Sequence, residues 1–192
     1  LYLYFLFVLH HFLGLNIPIS GSPDGTVSDS TKISHVGILG PDYIGMKPTM
    51  MVDVGDEVKI GSVLFEDKKN PGVFFTSPAG GLIKSINRGE KRRFISIEIE
   101  VAEQENQVEI LNDDNEILLK NLSKFGVINY FRTRPFNKTP KLKDIPDDIF
   151  VNICDTNPLS VDPYIYLQHE IDLFNKALIK LKEIFNCNIH VC

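Results

Sequence analysis

The sequence predicts an α+β chain with two domains, a small all-β module and the start of an α/β domain. Residues 54–89 alternate short apolar runs with turn residues and show no helical period, which is typical of a small β-sandwich or barrel. Residues 149–192 read as strand, helix and strand, the order of a parallel α/β unit. We therefore divide the chain into the β module at 14–108 and the α/β part at 109–192, which 192 residues can accommodate.

The composition excludes several functional classes. A net charge of -5 argues against a general nucleic-acid binder. The three cysteines, Cys154, Cys187 and Cys192, are odd in number and form no CxxC pair. They therefore suggest neither a disulfide framework, nor a zinc site, nor an iron–sulfur cluster.

The first 13 residues, LYLYFLFVLHHFL, differ in character from the rest. They are too few to span a bilayer. They also lack the preceding basic residue that a signal peptide has. His10 and His11 would point apart on a strand, which disfavours a metal site. Residues 1–13 are either an unusual leading strand or a foreign leader, and we favour the second interpretation. The chain starts at Leu1 and stops inside a predicted strand, so we interpret it as a fragment.

Strands of the β module are predicted at 32–39 and at 94–101, besides those between the turns. In the second of these the isoleucines alternate with polar residues, so that Ile95, Ile97 and Ile99 share one face. Tight turns are expected at 54–57 and 70–72, where glycine supplies a positive φ and Pro71 presets its own.

The central hairpin resembles that of lipoyl- and biotin-carrier domains, which have a barrel-sandwich hybrid fold. Its first half ends in EDKK and its second begins with SPAGG. Lys68 falls where a carrier has its acylated lysine. Asn70, Pro71 and Gly72 depart from the carrier pattern and stiffen the tip, so a solvated lysine pair is the favoured interpretation and an acylated carrier the alternative.

Two loops and one turn carry candidate binding residues. The loop 39–46 offers Tyr43, Ile44 and Met46, as core filler or as a contact surface. The segment 129–146, which includes the candidate loop 131–138, interleaves aromatic and basic residues, and its three prolines are expected to keep it extended. The basic turn 88–93 could bind a phosphate or a lipid headgroup, although solvated turn charges are commoner.

In the α/β part, a helix over 116–124 is expected to end at Gly126, a favourable residue after a helix C-terminus. A buried strand at 149–154 leads to Asp162 and Pro163, the cap and first residue of a helix that Asn186 ends. Its apolar positions recur at helical spacing, namely Ile171, Phe174, Leu178, Leu181 and Phe185. A GxGxxG loop is absent from the sequence, so a Rossmann-like fold here predicts no dinucleotide.

Six separated strings together resemble one family. In order they are GLNIPISG, GILGPDYIGMKPTM, VGDEVKIGSVLFEDKKNPGVFFTSPAGG, INRGEKRR, FRTRPFNK and IFVNICDTNPL. The family is NqrA, the A subunit of the sodium-translocating NADH:quinone reductase, and the similarity covers residues 14–192. The resemblance implies a peripheral subunit on the cytoplasmic face of the bacterial inner membrane, docked on the other subunits and above all on the membrane-embedded B subunit.

The resemblance also implies that this chain binds no cofactor of its own, while the complex uses NADH, flavins, iron–sulfur centres, ubiquinone and Na⁺. It places the following residues near the quinone: Leu39, Tyr43, Ile44, Met46, Phe131, Arg132, Arg134, Phe136 and Lys138. An equally favoured interpretation is that both loops contact a neighbouring subunit and not the quinone. The C subunit of the related Rnf electron-transport complex is an alternative family, but it needs cysteine clusters that do not occur in this sequence.

Overall fold

A computed structural model describes residues 19–27, 32–103, 107–108, 121–155, 157 and 159–192. These residues divide into two compact units. The β unit comprises the described residues within 30–146 and 184–186, and the α/β unit those within 1–29, 147–183 and 187–192. The leader 1–13 and the start of the helix predicted at 116–124 lie outside the described residues.

The described part of the β unit contains seven strands in two antiparallel sheets. The strands are β1 (His35–Leu39), β2 (Pro48–Met50), β3 (Glu57–Val58), β4 (Val63–Asp67), β5 (Phe74–Thr76), β6 (Gly81–Arg88) and β7 (Phe94–Val101). One sheet has the order β1-β7-β6-β3 and the other β2-β4-β5. This architecture confirms the predicted barrel-sandwich hybrid module.

Aromatic rings fill the space between the two sheets. Phe65 on β4 stacks on Phe75 with ring centroids 4.6 Å apart, and its edge meets Phe94 at 5.2 Å. The other buried apolar side chains of this core are Val58, Leu64, Val73, Ile83, Ile97, Ile99 and Ile128. Burying these large side chains removes most of their apolar area from water, which is the main force that holds the unit together.

The predicted turns are confirmed. Gly72 has φ +88° and the amide of Val73 donates to the carbonyl of Asn70 at 3.1 Å, which closes the turn at the hairpin tip. Gly55 has φ +98°, and the amide of Asp56 donates to the carbonyl of Asp53 at 3.2 Å. Glycine tolerates both positive values because it has no Cβ.

The predicted alternation along β7 is wrong at its start. The pairing register shifts between Asn87 and Arg88, so that Arg88 faces Phe94 whereas Asn87 faces Ser96. This β-bulge leaves Ile95 without a partner, turns it outward and brings Phe94 into the core. Ile97 and Ile99 follow the bulge and are buried as predicted.

The α/β unit has the predicted strand–helix–strand order. Strands β8 (Asp148–Val151) and β9 (Asn188–Val191) pair in parallel, with Ile149 opposite Ile189. The helical segment between them is not continuous, because α1 (Pro163–Leu167) and α2 (Ile171–Phe185) are separate helices. Asp162 caps α1 as expected, accepting a hydrogen bond from the amide of Tyr164 at 2.9 Å.

The apolar face of α2 is less buried than the pattern predicts. Phe185 is buried as predicted, but Phe174, Leu178 and Leu181 are half-buried, and Ile171 is exposed. The helix ends at Asn186, whose φ of +47° is a left-handed conformation that asparagine tolerates.

The segment between β7 and β8 confirms one prediction and contradicts another. Residues 121–124 are helical and Gly126 follows with φ +74°, which confirms the predicted helix end. The prediction that 129–146 is extended is wrong at residues 133–138. The amide of Thr133 donates to the carbonyl of Lys138 at 2.8 Å, and that of Asn137 to the carbonyl of Thr133 at 2.8 Å, so the chain reverses in a closed loop. Asn137 adopts the left-handed φ that this reversal requires.

Candidate functional site

The first candidate loop lies on the core of the β unit. Leu39 is the last residue of β1, and residues 40–42 form a single 3-10 turn. Tyr43 and Met46 pack against the core, whereas Leu39 and Ile44 are each 51% exposed. The loop therefore presents two anchored side chains and two apolar side chains that contact solvent.

Tyr43 is the residue at which the two candidate loops meet. Its ring stands edge-on to Phe75 with centroids 4.6 Å apart and an interplanar angle of 83°. The guanidinium carbon of Arg132 lies 5.2 Å from the centroid of the same ring, a cation–π distance. Burial raises the pKa of the Tyr43 phenol, and the positive charge of Arg132 opposes this shift. Tyr43 is therefore a neutral hydrogen-bonding group near neutral pH.

Arg132 is held over Tyr43 by the backbone of its own loop. Its Nη1 donates to the carbonyl of Asn129 and, at 2.9 Å, to that of Phe131. Asn129 is itself buried, and its Nδ2 donates to the carbonyl of Phe74 at 2.5 Å. Sequence reasoning does not find Asn129, since nothing in the sequence distinguishes this buried amide from an exposed one.

The rest of the second loop has a different character. Phe131 packs on the core, whereas Arg134 is exposed and Phe136 is 69% exposed. The ammonium of Lys138 lies 5.7 Å from the centroid of Phe136. The hydrogen bonds and ring contacts of the described residues connect Phe136 with its own loop and not with the first loop.

The candidate residues therefore form two groups. Tyr43 and Arg132 are in contact, and Met46 and Phe131 pack on the same core. The exposed group comprises Leu39 and Ile44 on the first loop and Arg134, Phe136 and Lys138 on the second. The first group offers a ring face, a phenol and a guanidinium, which could orient a planar ligand that carries carbonyl oxygens.

A cavity of about 610 Å³ opens beside the first loop. Its apolar wall includes Tyr43, Ile44, Met46 and Phe94. Its basic wall is made by Lys47, Lys69, Arg88, Lys91, Arg92 and Arg93. The sequence indicates the basic turn at 88–93, but not Lys47 and Lys69, which only the folded sheets bring to it.

The hairpin tip around Lys68 is tied to its surroundings. The amide of Lys68 donates to the carbonyl of Lys47 at 2.8 Å, and Nδ2 of Asn70 donates to the carbonyl of Pro140 at 2.9 Å. Oε1 of Glu66 accepts from the amide of Gly72 at 2.7 Å. These contacts hold the backbone of the tip, while the side chain of Lys68 is exposed, as expected for a solvated turn residue.

Neither a metal centre nor a membrane span is found in the part of the chain that the structure describes. No group of three or more His, Cys, Asp or Glu side chains there is placed to hold a metal ion. Among the helices of the same residues, none combines the length and the apolar character needed to cross a bilayer.

Comparisons with known proteins match both parts of the chain. The family described as "NqrA N-terminal barrel-sandwich hybrid domain" matches residues 12–102, and "NqrA second alpha/beta domain" matches residues 113–192. The chain is 44% identical over 186 residues to the A subunit of the Na(+)-translocating NADH-quinone reductase of Yersinia pseudotuberculosis. The protein of the same name is 44% identical over 187 residues in Neisseria meningitidis and 43% identical over 186 residues in Pasteurella multocida.

Each of these alignments covers 93% of this chain and 42% of the relative, so the chain spans less than half the length of the proteins that it matches. The first domain match covers the two antiparallel sheets, and the second covers the β-α-β unit that follows them in the chain. The chain therefore belongs to the NqrA family, the A subunit of the Na(+)-translocating NADH-quinone reductase.

Proposed function

We propose that this chain acts as the N-terminal part of a peripheral subunit in a sodium-pumping complex that couples NADH oxidation and ubiquinone reduction to Na⁺ export. The observation that carries the proposal is the identity of 43–44% along 93% of the chain to relatives with that name. In this proposal the chain supplies assembly contacts and holds no redox cofactor. NADH, flavins, iron–sulfur centres and Na⁺ are handled by other subunits.

The proposed location is the cytoplasmic face of the bacterial inner membrane, on the membrane-embedded B subunit. Leu39 and Ile44 on the first loop are both exposed large apolar side chains, which supports a protein contact there. Affinity purification of the tagged protein from membranes tests this. We expect the B subunit and NADH dehydrogenase activity to accompany it, and consistent purification without either would overturn the proposal.

Within that complex we propose that Tyr43 and Arg132 lie next to the bound ubiquinone. A neutral phenol and a guanidinium that is already oriented by two backbone carbonyls could donate to the quinone oxygens, while the ring of Tyr43 packs on the quinone ring. Arg132 is exposed to solvent, which supports its direct contact with a ligand.

The test is the Arg132→Gln variant of the assembled complex. If Arg132 binds quinone, KM for a short-chain ubiquinone should rise several-fold while the complex remains assembled. Lys124→Gln is the matched control, since Lys124 is also an exposed basic residue over an aromatic ring, 5.9 Å from the Phe125 centroid, and belongs to neither loop. Loss of assembly with unchanged KM in the remaining complex would show that the loops grip a neighbouring subunit instead.

A further inference from the structure

The cavity beside the first loop concentrates positive charge on an acidic chain. Of the 20 lysines and arginines in the sequence, six line this cavity, and none of its lining residues is acidic. The whole chain has a net charge of -5, so this density of basic residues is a local feature. The lining residues come from three separate segments: residues 40–41 and 43–48, Lys69, and residues 88 and 91–94.

Asp42 and Glu90 belong to the segments that form this cavity, but the ion pairs found among the described residues involve none of its six basic side chains. Lys69 donates from Nζ to the carbonyl of Gly45 at 2.8 Å, which fixes its position without cancelling its charge. The nearby carboxylate of Asp67 is buried, and its Oδ1 accepts from the amides of Lys47 and Lys69, both at 3.0 Å.

The basic turn is held in an unusual conformation. Lys91 and Arg92 have φ values of +52° and +59°, a left-handed region that residues other than glycine rarely adopt. Hydrogen bonds close the turn, from the amide of Gly89 to the carbonyl of Arg93 at 2.8 Å and from that of Arg92 to the carbonyl of Gly89 at 3.1 Å. This closed backbone therefore presents successive cationic side chains at one edge of the cavity.

The cavity lining also includes apolar side chains. Tyr43, Met46 and Phe94 are at least half-buried there, and Ile44 stands exposed at the rim. The cavity volume lies within the range of small-molecule sites and exceeds what a single phosphate ion would fill. A ligand that suits both walls has a phosphate group, which several arginine and lysine donors can share, joined to an apolar part.

We propose that this cavity binds the phosphate group of an amphipathic anion, with the apolar part of the ligand resting on the 43–46 loop. Two sources share this chemistry, the headgroup of an anionic phospholipid and a soluble phosphate ester. Groups of four to eight basic residues beside apolar side chains are typical of sites for anionic lipids. The proposal does not depend on the role in the sodium pump, and its binding tests need no other subunit.

The experiment uses the purified full chain and two kinds of probe. Sedimentation with phosphatidylcholine vesicles, with and without phosphatidylglycerol, measures lipid binding, and calorimetric titration with glycerol phosphate measures binding of a soluble ester. The cavity variant is Lys91→Gln with Arg92→Gln, and a second variant, Lys47→Gln with Arg88→Gln, removes two charges elsewhere in the cavity. Lys141→Gln with Lys143→Gln is the matched control, because both lysines are exposed and outside the cavity lining.

We expect the unchanged protein to bind phosphatidylglycerol vesicles. Each cavity variant should lower this affinity about tenfold, since each basic residue near an anionic surface adds to the binding free energy. The control should bind like the unchanged protein, and added salt should weaken binding. Binding of glycerol phosphate with the same dependence on the variants, but no vesicle binding, supports the soluble source of the phosphate. Absence of binding to both probes, or equal weakening by the control, overturns the proposal, provided that circular dichroism shows all variants folded.

Discussion

The β unit and the α/β unit differ in how completely they bury their apolar side chains. In the β unit, Phe65 and Ile97 are fully buried between two sheets. In the α/β unit the side chains along α2, such as Leu178, are half-buried, and its most buried described residues, Ile149 and Cys187, keep 8% of their surface exposed. Since stability depends on the apolar area removed from water, the β unit should contribute most of the cohesion of the described chain.

The largest expected effect is therefore in the β core. Phe65→Ala should lower the free energy of unfolding by about 3–5 kcal/mol, because it removes two ring contacts and leaves a cavity between the sheets. Leu178→Ala in α2 should cost roughly 1–2 kcal/mol, since less apolar area is lost at a half-buried site. Denaturant unfolding of both variants measures the difference.

A control guards against the case in which Phe65→Ala does not fold. Phe65→Leu keeps most of the volume, so it should lose less stability than the alanine variant and remain measurable. A loss for Leu178→Ala that exceeds the loss for either Phe65 variant would contradict the contrast between the units.

A smaller effect is expected at Gly126, which ends the helical residues 121–124. Its φ of +74° makes alanine unfavourable by roughly 1–2 kcal/mol, and the new β-carbon would lie 2.5 Å from Oγ1 of Thr76. Thr76 would have to rotate and give up its hydrogen bond to the carbonyl of Phe125. Gly126→Ala should therefore destabilise the β unit in thermal unfolding.

Gly45→Ala is the matched control for this prediction. Gly45 has φ +80°, but a β-carbon there would meet nothing within 4 Å. Both variants share the backbone cost, so Gly126→Ala should be less stable than Gly45→Ala by about 1 kcal/mol, the usual value of a hydrogen bond. Equal melting temperatures would show that Thr76 adjusts without cost.

Local chemistry explains why much of the β unit could be predicted from the sequence. The turns at Gly55 and Gly72 depend on residues next to each other in the chain, and each has the positive φ that its glycine predicted. The bulge at Ile95 could not be predicted, because it depends on the register of β7 against β6. A single unpaired residue reverses which side chain faces the core.

The candidate site shows the same limit. Each loop could be found as a local combination of aromatic and basic residues, but the contact of Tyr43 with Arg132 joins positions that are far apart in the chain. The basic cavity likewise depends on Lys47 and Lys69 meeting the turn at 88–93 in the folded sheets. The closed loop at 133–138 escapes prediction because prolines indicate an extended chain only when no hydrogen bonds close it.

The α/β unit should respond to loss of its helix cap. The carboxylate of Asp162 accepts from the amide of Tyr164 at 2.9 Å at the start of α1. Asp162→Ala should cost about 1 kcal/mol, whereas Asp162→Asn keeps an acceptor and should cost much less. Amide hydrogen exchange in α1 measures the loss, and equal protection in the two variants would show that the cap contributes nothing there.

The smallest expected effect is a pH dependence that belongs to the strand pair of the α/β unit. Hydrogen bonds from His190, at 2.7 Å, and from Asn188, at 3.2 Å, hold the pKa of Asp148 below its usual value. A carboxylate whose pKa is lowered on folding stabilises the folded state fully when the pH is above its unfolded-state pKa of about 3.9. This stabilisation is lost as the pH falls through the lower pKa of the folded state.

Thermal unfolding from about pH 5 to about pH 2 tests this assignment, since linkage confines the loss to that interval. Asp148→Asn should flatten the acid slope slightly, because its amide binds no proton in this range. The matched comparison is Asn188→Ala, which removes only the longer of the two hydrogen bonds to Asp148 and should flatten the slope less. Both side chains of the Asp148–His190 pair are exposed to solvent, so high salt should reduce the effect. If the stability of Asp148→Asn falls with pH as steeply as that of the unchanged chain, the acid sensitivity does not arise from Asp148. The pH dependence would then not distinguish the α/β unit from the β unit.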